Sequence, residues 1–166
     1  MKHDYFRMFA RYNQWANRRL YAACATLPEA AYMAPRASFF GSLHATLNHI
    51  LVGDRIWMGR ITGHPVADIR ALNQILYGEL TGLRVAREAE DAQIINTIDA
   101  MDEPTLNTML RYKNMAGEPQ QTPMRHVLAH VFNHQTHHRG QAHGLLSAAG
   151  VSPPSLDLIY FLREQA

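Results

Sequence analysis

A chain of 166 residues, 47% apolar and 18% charged, is long enough for one domain with a buried core and too apolar to stay disordered. Its formal charge of +2 is spread thinly, with Arg18-Arg19 as the densest basic pair, so nothing in the composition supports nucleic-acid binding. The single cysteine excludes an internal disulfide framework, no apolar run nears a membrane span, and the N-terminal segment lacks the apolar core of a signal peptide; a cytoplasmic protein is expected.

In chain order, residues 3–27 carry Phe6, Phe9, Asn13, Ala16, Leu20 and Leu27 at three- and four-residue spacing, the pattern of one helix face, and Pro28 stops the run. A second helix is expected over 42–62, from Gly41-Ser42 to Gly63-His64-Pro65, with Leu43, Leu47, Ile50, Trp57 and Ile61 as its stripe. The third is placed at 73–101, although its middle, GELTGLRVAREAEDAQ, is polar. Residues 104–121, broken by Pro104, Gly117 and Pro119, suggest an extended arm or hairpin. The fourth helix is expected to begin with Thr122 as N-cap and Pro123 at the first position, and to end at Gly150. SLDLIYFLRE then forms a short closing helix. Four long helices in one small domain predict an all-α four-helix bundle.

The segment HVFNHQTHHRGQ, residues 130–141, holds four histidines. On a helix turning 100° per residue, the stripe through Val127, Leu128, Val131, Ala142, Leu145 and Leu146 contains His138. His134 lies at its flank, roughly 40° away. His130 and His126 drift toward solvent, and His137 points away from the core. Two inward imidazoles at i and i+4 can grip one metal ion, and buried imidazoles need partners for their nitrogens in any case. A third ligand has to come from another helix. His44 and His49 are the candidates, and periodicity prefers His49 only mildly; Gly53, one turn on, leaves room beside it for a ligand. Asp54 falls inside an apolar stripe, where a carboxylate needs a cation or donors; it either orients an imidazole or pairs with an arginine such as Arg139. Asn13 interrupts the first stripe beside Tyr12; a polar residue there is more often a structural hydrogen-bonder than a catalytic group, and otherwise Asn13 and Tyr12 are candidates to line a pocket or orient a substrate.

These residues resemble a family. LNHIL with Trp57 eight residues beyond its histidine, NHQTHHRGQ, YNQWAN near the start and DLIYFLRE at the end look like the motifs of the DinB/YfiT-like superfamily, across nearly the whole of 1–166. The resemblance implies up-down-down-up connectivity and a divalent metal on three histidines: His49, His134 and His138 by position. It also implies frequent homodimers. The better-understood relatives are thiol-dependent, among them bacillithiol S-transferases and a mycothiol-dependent isomerase.

Three neutral imidazoles leave a metal's charge uncompensated and a coordination position open, as in catalytic sites. Zinc or nickel is the expected ion. Such a site either lowers the pKa of water, giving a hydrolase, or binds a low-molecular-weight thiol as thiolate, giving a transferase that acts on a small electrophilic substrate. No G-x-S-x-G elbow is present, and Cys24 reads as a small buried apolar residue. The remaining alternative is a non-enzymatic metal- or ligand-binding stress protein.

Overall fold

The computed structural model describes residues 3–165. Four long helices dominate: α1 (His3–Cys24), α3 (Leu43–Thr62), α4 (Leu80–Asp99) and α6 (Met124–Ala148). Short helices α2 (Glu29–Met33), α5 (Glu103–Leu106) and α7 (Leu158–Glu164), with a hairpin of β1 (Met109–Lys113) and β2 (Pro119–Pro123), complete the described chain. The two strands pair antiparallel, with Arg111 opposite Gln121.

Side-chain pairings give the directions of the long helices. Asn13 and Asn17 meet Asp91 while Arg7 and Arg11 reach Asp99, so α1 and α4 run antiparallel. Asp54 meets Arg87 and Arg55 meets Glu90, so α3 and α4 run parallel. His49 faces His138 while Trp57 faces His130, so α3 and α6 are antiparallel. The bundle is therefore up-down-down-up, and the long segment 63–79 lets α4 follow α3 in the same direction.

Local chemistry sets the ends. Ser42 caps α3 by accepting from the Ala45 amide, and Gly63 closes it at φ 75, a conformation that favours glycine. The third long helix begins at Leu80, not at 73. Asn48 accepts the amides of Leu76 and Tyr77, and Gln74 ties Arg70 to Asp68, so these backbone groups are committed to the loop. Thr122 is not an N-cap: it pairs with Leu110 in the hairpin, Pro123 takes the cap position, and the Met124 amide donates to Thr108.

A third, smaller apolar cluster joins α7 to α1 through Tyr12, Ala16 and Phe161, and two larger ones fill the bundle. Leu20, Leu47, Leu51, Leu83 and Leu146 anchor one; Phe6, Met58, Ile94, Leu128 and Phe132 anchor the other. Between them on every long helix lies a buried polar layer: Asn13 and Asn17, Asp54, Arg87 and Asp91, Gln135 and Arg139. Arg87 stands 2.5 Å from Asp54 and 3.0 Å from Asp91. Arg139 donates to Asn13 and to Gln135. Two cations thus face two carboxylates, and the amides occupy the lone pairs left over, as a desolvated charge cluster requires.

Candidate metal centre

His49 leaves α3 and His134 and His138 leave α6 at the level of the polar layer. The Nε2 of His49 lies 3.1 Å from that of His134 and 3.2 Å from that of His138. One ligand atom from each ring fits within 4.8 Å of the others, a group that can hold a metal ion. His49 and His138 are buried and His134 is half-buried. His137 is exposed, as its helix position predicts.

The outer nitrogens explain the inner ones. His49 Nδ1 lies 2.7 Å from the Leu72 carbonyl, and His138 Nδ1 lies 2.8 Å from Gln141 Oε1. Both partners only accept, so each Nδ1 carries the proton and each Nε2 presents a lone pair. Lone pairs facing one another at this distance repel unless a cation stands between them. In a tetrahedral site with metal–nitrogen bonds of about 2.05 Å, ligand nitrogens stand about 3.3 Å apart, so the observed spacing fits a divalent ion.

Electrostatics agree. Burial pulls the imidazole of His134 down to about 3, helped by the neighbouring His138 and His49. Burial also lowers His49 and His138, opposed by the Leu72 carbonyl and Gln141 respectively. All three are neutral at pH 7, the form that binds metals.

Surrounding residues fix the rings. Phe40 stacks on His49 at 4.0 Å and meets His138 edge-on. Asn48 holds the loop that delivers the Leu72 carbonyl to its sequence neighbour His49. Gly53 is required by His134, since a Cβ there would sit 2.7 Å from His134 Cε1. The space beside His49 expected for a ligand is thus filled by the second imidazole.

Other candidates have different places. His44 is spent on the Tyr32 hydroxyl at 2.9 Å and on Asn48, away from the cluster. Of the two roles expected for Asp54, pairing with an arginine holds, but the arginine is Arg87 and not Arg139: Asp54 turns into the polar layer, where Arg87 and Gln135 donate to it. Burial pushes its carboxyl up to about 7, against the pull of Arg87. Asn13 bridges Arg139 and Asp91. Tyr12 donates to the Leu156 carbonyl and borders a cleft with Arg139 and His143. His130 is exposed and stands between Trp57 and His134, at ring distances of 5.0 and 5.8 Å. Cys24 is fully buried, with its thiol pushed up to about 12.

Sequence reasoning missed four residues. Gln141 had a signal, an amide one turn after His138, and Arg87 was hidden because its helix reads as polar throughout. Phe40 and Leu72 lie in loops, where no periodicity reveals direction.

A model of the DinB family matches residues 1–166. The chain belongs to the DinB family. Among relatives of this DinB-family chain, protein DinB of Bacillus subtilis (strain 168) is 28% identical over 155 residues, covering 91% of this chain and 90% of the relative. A crystal structure of a DinB-like protein from Bacillus cereus ATCC 10987 superposes with a TM-score of 0.66 at 17% identity, covering 89% of this chain and 94% of the other. That likeness establishes the shared fold.

Proposed function

We propose that this chain is a divalent-metal-dependent thiol S-transferase, with His49, His134 and His138 as the ligands of zinc or nickel and a small electrophile as substrate. The observation that carries the reading is the convergence of three neutral imidazoles through their Nε2 atoms, two of them locked with the lone pair inward by carbonyl acceptors on Nδ1. A bound ion supplies there a positive charge and an open position that favour a thiolate over a thiol at neutral pH.

The protein's own groups do the rest. Leu72 and Gln141 hold two rings in the ligating tautomer, and Phe40 covers one side of the cluster from water. Among the described residues no carboxylate joins the histidine group to act as a base toward water, and the one cysteine is buried with a raised pKa. An external thiol brings its own nucleophile and needs only to be ionised and placed, which favours transfer over hydrolysis. We read the chain as one domain over 1–166, acting in the cytoplasm. We also read it as a homodimer through the aromatic surface of α1 and α6, where Tyr5, Phe9 and Phe132 line an open cleft.

The test loads the protein with zinc or nickel and mixes it with cellular thiols and a chromogenic electrophile. The expected result is a rate that requires both metal and thiol and is lost in His49→Ala. Turnover that persists without thiol assigns a hydrolase; stoichiometric metal without turnover across the panel assigns a binding protein.

A further inference from the structure

A second cleft lies where the C-terminal turn of α3 and residues 63–69 face the hairpin, with a cavity volume of about 490 Å³. Ile56, Val66 and Ile69 form its apolar wall, and Arg60, Arg111 and Lys113 supply its charge. No carboxylate is among its lining residues, and Glu118 at the hairpin tip is engaged by the Asn114 amide. Arg60, Arg111 and Lys113 form no ion pair among the described residues.

Arg60 is the centre of the arrangement. Its guanidinium carbon lies 4.6 Å from the Trp57 ring centroid and 4.9 Å from that of Tyr112. Two aromatic rings hold the cation in place and strip part of its water without neutralising it. Burial accordingly pulls its pKa down. A half-buried, preoriented guanidinium without a counterion, beside an apolar wall, is complementary to an anion on an apolar body. The cleft lies at a helix C-terminus, whose carbonyl dipoles oppose a dianion such as phosphate, so a monoanionic carboxylate fits better.

Contacts link the cleft to the metal cluster: Trp57, packed on Arg60, meets His130, and His130 meets His134. We infer that this cleft is a subsite for a small organic carboxylate with an apolar or aromatic body, its acid group on Arg60 and its body against Ile56, Val66 and Ile69. As a statement about substrate class it rests on the transferase reading, but binding to the cleft needs neither metal nor turnover.

The experiment therefore measures binding alone. In a Trp15→Phe background, Trp57 is the only indole and reports on the cleft. The full chain, stripped of metal with EDTA, is titrated with 4-phenylbutyrate and with the matched neutral amide, 4-phenylbutyramide. A saturable change in fluorescence is expected, with the acid binding at least about tenfold more tightly than the amide. Arg60→Gln should abolish that preference while leaving the far-UV circular dichroism unchanged, and Arg111→Gln with Lys113→Gln should reduce it. Equal affinity for acid and amide, a preference that survives Arg60→Gln, or no saturable change overturns the assignment. None of these results depends on the S-transferase assay.

Discussion

Gly53→Ala separates the demands of the helix from those of the site. Gly53 lies inside α3 with helical backbone geometry, so alanine is accepted by the main chain and gains about 0.5–1 kcal/mol of helix propensity. The new Cβ would stand 2.7 Å from His134 Cε1. Ordinary contact requires about 3.4 Å, so the imidazole must move by about 0.7 Å. Metal–ligand distances tolerate only about 0.2 Å, and disturbing even an outer partner of a ligand costs roughly 10–100-fold in affinity. The variant should therefore bind zinc roughly 10–100-fold more weakly, in competition with a chromophoric chelator at pH 7. Its metal-free thermal midpoint should stay within a few degrees of the parent, because helix gain and side-chain displacement offset one another. Wild-type zinc affinity in a folded Gly53→Ala protein would refute the claim that Gly53 and His134 are fitted to one another at the centre.

Three further outcomes are expected. Gln141→Leu removes the acceptor on His138 Nδ1 and should weaken zinc binding roughly tenfold in the same competition, leaving helix content unchanged. Arg87→Met strands Asp54 and Asp91 without their shared cation and should cost about 3–5 kcal/mol in urea denaturation; a loss below about 1 kcal/mol would show that the layer does not depend on that ion pair. In metal-free protein, the folded state keeps His134 neutral down to about pH 3, whereas the unfolded chain protonates it below its ordinary 6.5. Its contribution is complete above pH 6.5 and is lost as the pH falls toward 3, so denaturant midpoints should decline over that window and His134→Gln should flatten the decline.

Periodicity determined α1, α3 and α6, because each must bury an apolar stripe and the spacing of that stripe is fixed by the turn of the helix; α4, polar through its middle, is placed between loop and Pro104 without a stripe of its own. The inward direction of His134 and His138 was legible for the same reason: both lie on one helix, and rotation along a single axis is readable from residue numbers. Periodicity left His44 and His49 open as third partners, and resemblance to the DinB/YfiT-like superfamily singled out His49. Tertiary structure decided what local rules do not reach. Asn48 draws loop amides out of the predicted helix start at 73 and so presents the Leu72 carbonyl to His49. Thr122 became a strand residue because its partner Leu110 lies on the other side of a turn. Asp54 found Arg87 because two parallel helices bring together residues 33 apart, a pairing that depends on loop length and packing and has no signature along either helix. The space at Gly53 belongs to His134 for the same physical reason: the ring arrives from an antiparallel helix, and only the packed bundle fixes how close it comes.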